Sequence, residues 1–487
     1  MTNRSMVLGA VTALVIAGAP LAAQAPDRSK PPELGPTPQL KLAAIQRFTL
    51  ANGLPVVLLE KHEVPLAQLN LMVQGGAVMD PAGKSGLAAM TAAMLDEGAG
   101  SRSALQLADA IEFLGARLST GAGQHTSLIQ LHAPVGKLDS ALRLMADVVL
   151  RPSFSGEELE RQRKERLTTL NQWRDQPRSI ASVIFSQTLF GSTHPYGLQT
   201  VGDPKSVASF TTADLRSFYQ LWFRPANSTL IVVGDVSVAT IKPKLEAALG
   251  SWTGAASAKP ALPAAKQVAA RQVYLVDKPG AAQSEIRIGR IGVPRLTEDY
   301  FPLIVMNTIL GGSFTSRLNQ NLREEHGYTY GAGSAFDFRP TPGPFVASAA
   351  VQTDVTDKAL AEFMKELRAI NDSVSDAEVT RGKNYLALGF PAEFQSASAI
   401  ALQLGDLVTY GLPDEYLNNY IGRVMQVTKA DVLRVARKYI DPAKIAIIIV
   451  GDRSKIETGV RALKLGEVKL LTIDDVLGAP PATSSSR

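Results

Sequence analysis

The side chains able to do chemistry in this 487-residue chain are few, and their spacing excludes more than it offers. Cysteine is absent, so disulfides, thiolate metal sites and cysteine nucleophiles are excluded. The histidines are His62, His125, His132, His194 and His326, scattered with no ligand spacing. A replacement site assembled from them is the one metal chemistry they leave. Gly83-Lys84-Ser85 resembles the end of a phosphate-binding loop, but such a loop needs glycine where Val78 stands. No Gly-x-Ser-x-Gly elbow occurs. Asp96 and Glu97 precede Gly98 at an expected helix end, where solvent exposure is expected rather than catalysis. Residues Glu157–Arg166 read as a charged helix face. Arg323 and Tyr330 stand seven residues apart. Taken by chemistry alone, Arg323 pairs with Glu324 or Glu325 or caps a helix end, and Tyr330 packs in a core.

These residues need a scaffold, and the chain is long enough for two or three domains. With 45% hydrophobic and 20% charged residues it can bury a large core. The net charge of +5 carries no Lys/Arg block, so nothing argues for nucleic acid. Residues 1–25 read as a secretory signal peptide: Arg4 is the only charge, Met6 to Ala17 is apolar, and Ala23-Gln24-Ala25 offers small residues for cleavage. The apolar run falls short of the roughly 20 residues of a span, so export and removal are expected. The expected location is periplasmic or secreted, with no stable membrane span. A Pro-rich linker follows at 26–44. A second Ala/Pro/Lys stretch at 254–271 separates a domain at 45–253 from one at 272–475, and 476–487 reads as a disordered tail.

The two halves repeat each other. Thr229-Leu-Ile-Val-Val-Gly234-Asp235 and Ala446-Ile-Ile-Ile-Val-Gly451-Asp452 are the same buried-strand pattern, 217 positions apart. Asp214 and Asp431 keep that offset, as do Pro225 and Pro442; Ser155 and Ser375 stand 220 apart, each expected to cap a helix with an early acid. In the first half, Pro55–Glu60, Leu66–Val73, Ala116–Ser119 and Thr126–His132 read as strands. Gly86–Glu97, Ala104–Leu114 and Lys137–Leu150 read as helices. Each repeat is therefore expected to be one mixed sheet with helices on a face, an α+β layer pair.

Ala51-Asn52-Gly53-Leu54, Gly75-Gly76-Ala77 and Gly86-Leu87-Ala88, followed by Met94 and Gly98, resemble the N-terminal domain of the pitrilysin/insulinase/processing-peptidase family of zinc peptidases. The resemblance covers nearly all of residues 45–475. It implies two homologous mixed-sheet-plus-helices domains forming half of a clamshell. Catalytic members carry His-x-x-Glu-His on the helix after Gly-Leu-Ala, two zinc ligands on one face with a base between them. Here those positions read Ala89, Ala92 and Ala93, and the position of the further glutamate ligand reads Thr169. No metal ligand remains, and no cofactor is expected in this chain. Ser316-Arg317-Leu318 and Leu322-Arg323 through Tyr330-Gly331 are similar to the family's substrate-binding segment. That likeness implies that Arg323 donates to the substrate backbone and that Tyr330 donates to the oxyanion, in trans to zinc held by another chain.

The resemblance thus implies a non-catalytic subunit, inactive alone, of a heterodimeric zinc endopeptidase. Its partner would be a homologous zinc-binding subunit and its substrate an extended or unfolded peptide. The alternative is a clamshell homodimer that binds peptides or acts as a scaffold without proteolysis. An active peptidase with unorthodox ligands is a third reading.

Overall fold

Aliphatic runs between turn signals fold into strands, and these assemble two sheets in which one connectivity is used twice. The computed structural model describes residues 35–480; the expected signal peptide lies outside the described residues, as does the end of the tail from residue 481. The first sheet comprises β1 (Gln46–Thr49), β2 (Pro55–Glu60), β3 (Leu66–Val73), β4 (Arg117–Ala122), β5 (Ser127–Pro134) and β6 (Ser228–Gly234). The second comprises β7 (Gln272–Asp277), β8 (Gln283–Ile291), β9 (Thr329–Phe336), β10 (Pro344–Gln352), β11 (Ala446–Gly451) and β12 (Val468–Leu471).

The strand orders are β1-β2-β6-β3-β5-β4 and β12-β7-β11-β8-β10-β9. Inner strands correspond one to one. The Val/Ile-rich β6 and β11 each pair parallel with the first inner strand of their repeat and antiparallel with the second. Only the far edge differs. β1 enters from before the first repeat and runs antiparallel to β2, whereas β12 returns from after the second and runs parallel to β7. Two α+β domains of mixed sheet and helices are what the duplicated pattern required. The caps repeat too: Thr211 with Asp214 and Thr428 with Asp431 form capping boxes at corresponding helix starts. The serine pair behaves differently. Ser375 makes a capping box with Glu378, whereas Ser155 occupies the cap position without a side-chain bond.

Each half covers the other's sheet. The helix Pro177–Phe190 of the first half lays Ile180, Val183, Ile184 and Phe185 on the face of the second sheet that carries Val276, Ile448 and Val450. Reciprocally, Ala397–Tyr410 of the second half packs Ile400, Ala401 and Leu404 against Val57, Met72, Ile231 and Val233. Full burial of an aliphatic side chain stabilises by about 1.5–3 kcal/mol, so this exchange joins the halves strongly. Residues from Pro38 onward accordingly form one compact unit.

Four expectations need correction. The helix expected over Gly86–Glu97 is Leu87–Ala93: Gly86, at a φ of 90°, lies outside the right-handed helix and precedes it, and the helix ends at Met94, before Asp96 and Glu97. Asp96 and Glu97 are partly buried rather than solvent-facing: Thr120 donates to Asp96, and Gln162 and Arg161 hold Glu97. The linker expected through residue 44 already docks by residue 40, since Leu40 and Leu42 pack on the apolar cluster shared by the two halves and Leu42 N–H donates to Asn418. The tail expected from residue 476 begins inside an ordered helix, Ile473–Leu477, whose Val476 is buried against Pro177–Phe190. No helix among the described residues is long and apolar enough to cross a membrane.

Candidate functional site

The connection from β3 to β4 holds three of the positions at which the sequence lacks metal ligands, and the helix Gly156–Gln172 holds the fourth, Thr169. Asp80 ends the turn before the helix, and its carboxylate accepts from Gly86 N–H and Ala88 N–H at 2.7 Å each. Burial pushes this carboxyl up to about 7, against the pull of those amides. Gly86 is required sterically as well, because a Cβ there would meet Val201 O at 2.6 Å. The following turns bury Ala89 and leave Ala92 with no exposure at all. Ala93 is partly buried, and Thr169 is exposed with its hydroxyl donating to Glu165 O at 3.1 Å. The donor set offered to a zinc ion is thus three methyl groups and one hydroxyl already used by its own helix. These residues do not fit the metal.

The histidines are engaged separately. His62 bridges Asp235 and Glu60 at 2.7 and 3.0 Å, and its hydrogen bonds to those acids raise its pKa. His125 hydrogen-bonds Tyr196 Oη at 2.7 Å, and burial lowers its pKa to about 4. His132 reaches Gln68, His194 reaches Pro263 O, and His326 stacks on Tyr328. Among the described residues no three of His, Asp and Glu converge as a metal-holding group. Lys84 of the Gly83-Lys84-Ser85 turn pairs with Asp214 at 3.0 Å, a structural use.

The corresponding connection in the second repeat, from β8 to β9, is built differently. It contains two wide turns with i→i+5 hydrogen bonding, Thr308–Gly312 and Gln320–Glu325, a backbone form often found at functional sites. The first lies directly on β9: a Cβ at Gly311 would meet Ser334 N at 2.3 Å, so only glycine allows this approach. The segment between the turns is anchored by Arg317, whose guanidinium grips Glu378 with bonds of 2.7 and 3.1 Å. Burial opposes the Glu378 charge, but hydrogen bonds from Arg317 and Ser375 outweigh it and hold the carboxyl at about 2.

Arg323 lies in the second wide turn. It approaches Glu324 at 3.4 Å, the pairing its neighbourhood suggested, and its guanidinium stands 4.6 Å from the centre of the Phe314 ring. Tyr330 does not pack in a core. It is 92% exposed on the edge strand β9. The cause is a bulge: Ala332 pairs with Ala349 and Thr329 with Val351, so Tyr330 and Gly331 together oppose Ala350. Such an extra residue re-aims a side chain and twists the strand. The Thr329 hydroxyl closes the gap, donating to Ala350 O at 2.6 Å and accepting from Gly331 N–H at 3.1 Å.

Sequence reasoning did not single out Phe314, Asn319 or Thr329. Phe314 left a signal, a large apolar residue within Gly311-Gly312-Ser313-Phe314-Thr315-Ser316, and it is 58% exposed. Asn319 and Thr329 left none, since their value is a hydrogen bond to distant backbone. A concavity of about 1490 Å³ lined by Arg102, Phe113, Arg143, Tyr219 and Trp252 lies elsewhere and includes none of the expected site residues.

Known proteins match this arrangement. Residues 55–199 match the model of the insulinase family (peptidase family M16), and residues 209–386 match the peptidase M16 inactive domain. An uncharacterized zinc protease of Mycobacterium tuberculosis is 26% identical over 410 residues, covering 83% of this chain and 93% of the relative. One from Bacillus subtilis is 24% identical over 286 residues, covering 59% and 68%. Among solved structures, a peptidase M16 inactive domain from Pseudomonas fluorescens superposes with a TM-score of 0.78 at 27% identity, covering 84% of this chain and 98% of that one. A chain of complex III2 from Candida albicans gives a TM-score of 0.71 at 16% identity, covering 86% and 99%, a likeness of fold.

Proposed function

The chain belongs to the insulinase (M16) peptidase family, and from that premise we propose that it is the non-catalytic subunit of a heterodimeric zinc peptidase. The observation that carries the proposal is the exposure of Tyr330, 92% and set by a bulge, in a chain whose corresponding metal positions are alanine. Set at a bulge of an edge strand, the Tyr330 hydroxyl is free to donate to a group outside the chain. Arg323, on the neighbouring turn, supplies a fork of donors suited to peptide carbonyls.

In this reading the partner is a homologue with an intact His-x-x-Glu-His helix, and zinc there supplies the activated water. Arg323 holds the backbone of an extended peptide. Tyr330 donates its O–H where negative charge develops on the scissile carbonyl oxygen. Export by the N-terminal signal would place the pair in the periplasm or outside the cell. A second reading is a binding or scaffold clamshell without proteolysis; a chain of complex III2 shares this fold.

The experiment is to mix the purified chain with a zinc-binding homologue from the same genome and assay cleavage of unstructured peptides. Activity absent from either chain alone is expected. Tyr330→Phe should lower kcat about 10²–10³-fold, the usual loss for one oxyanion donor. Undiminished turnover in both Tyr330→Phe and Arg323→Ala removes the trans role. Assembly without cleavage supports the scaffold reading.

A further inference from the structure

Arg323 and Tyr330 sit on different elements, a wide helical turn and an edge strand, yet must act on one substrate. One buried side chain joins the segment under the arginine to the strand of the tyrosine. Asn319 is 4% exposed. Its Nδ2 donates to Phe314 O at 2.7 Å, and its Oδ1 accepts from Ala332 N–H at 3.3 Å. Phe314 in turn presents its ring to the Arg323 guanidinium at 4.6 Å. Ala332 is two residues beyond Tyr330, on the near side of the bulge. One amide therefore ties the platform under the arginine to the strand that aims the tyrosine.

The amide is needed because the two demands are opposite in kind. The Phe314 carbonyl requires a donor and the Ala332 N–H requires an acceptor, and the amide of Asn319 carries both on one short planar group. Phe314 has the complementary task. A guanidinium on a long stem loses much rotamer freedom when it holds one place, and an aromatic face beneath it reduces what remains to be lost on binding. The exposure of Phe314, 58%, excludes a core-packing role for its ring.

We propose that Asn319 and Phe314 are positioning residues that fix Arg323 and Tyr330 relative to each other, Phe314 by carrying the guanidinium and Asn319 by coupling that platform to β9. The inference rests on the function proposed above for Arg323 and Tyr330. It assigns no contact with substrate to either positioning residue.

The test uses the two-chain peptidase, with Arg323→Ala and Tyr330→Phe measured in parallel. Phe314→Leu keeps apolar bulk at an exposed site and cannot unfold the chain. It should raise KM about two- to fivefold with kcat unchanged, the range of an exposed cation–π contact, and Phe314→Trp should restore KM. Asn319→Asp keeps the acceptor but loses the donor; it should raise KM and lower kcat together, by about tenfold in kcat/KM, because a buried carbonyl left without its donor costs about that much. Asn319→Ala should also speed hydrogen exchange at Ala332 in the chain by itself. Parent-like kinetics in Phe314→Leu and Asn319→Asp, while Arg323→Ala and Tyr330→Phe remain damaging, overturns the positioning role alone. Parent-like kinetics in all four overturns the site and the positioning role with it.

Discussion

The connection from β3 to β4 in the first repeat and that from β8 to β9 in the second occupy corresponding places in one topology. The first is a regular helix, Leu87–Ala93, shut with small residues and held by a buried carboxylate. The second is wound into two wide turns and delivers an arginine, a phenylalanine and, on the next strand, a tyrosine to solvent. The first connection is closed by buried small residues, whereas the irregular backbone of the second is held in place by side chains, those of Arg317, Asn319 and Thr329.

The largest expected effect breaks the first connection. Ala92→Glu restores the acid of the active family motif at a position with no exposure. An unpaired buried carboxylate should destabilise by about 3–5 kcal/mol in denaturant unfolding. Loss of less than 1 kcal/mol would mean that this helix is as open as its counterpart.

Next comes pH, where the two connections should respond with opposite sign. Asp80 titrates at about 7 in the fold against 3.8 unfolded, so its contribution is complete below pH 4 and is lost as pH rises through 7. Glu378 titrates at about 2 against 4.5, so its contribution is present above pH 4.5 and is lost as pH falls toward 2. Each shift corresponds to about 3–4 kcal/mol unscreened, and solvent screening should cut the Glu378 contribution to well below that. Stability curves of Asp80→Asn and Glu378→Gln should flatten in those two separate windows; flattening in the same window defeats the contrast.

Smaller is the effect at Thr91, in the same helix as the alanines. Its hydroxyl is buried with no hydrogen-bond partner. Thr91→Val should stabilise by about 1 kcal/mol in thermal or denaturant melts. The smallest belongs to the second connection: Tyr330→Phe should leave the stability of the isolated chain within about 0.5 kcal/mol, whatever it does to turnover. A larger loss would mean that the ring serves the fold.

Much of the scaffold was legible in advance. Pro55–Glu60, Leu66–Val73 and Ala446–Gly451 are strands over the expected residues, because alternating or continuous aliphatic runs have few other ways to be buried. The shared offset of Asp214 and Asp431 reappears in the fold as corresponding capping boxes with Thr211 and Thr428, caps that the sequence reading did not name. Ser155 misled because a residue type at a cap position does not guarantee the bond. Asp96 and Glu97 misled because their partners, Thr120 and Arg161, lie on elements folded back from elsewhere.

The sequence by itself determined that the chain is duplicated, that each copy is a sheet with helices, and that Ala89, Ala92, Ala93 and Thr169 cannot ligate zinc. Those are matters of local pattern and of the atoms each side chain owns. Only the tertiary structure decided that the halves exchange covering helices, that Tyr330 is turned to solvent, and that Asn319 joins its strand to the platform beneath Arg323. A bulge and a bridging amide depend on which backbone groups are left unpaired after distant strands meet, and no spacing along the chain encodes that.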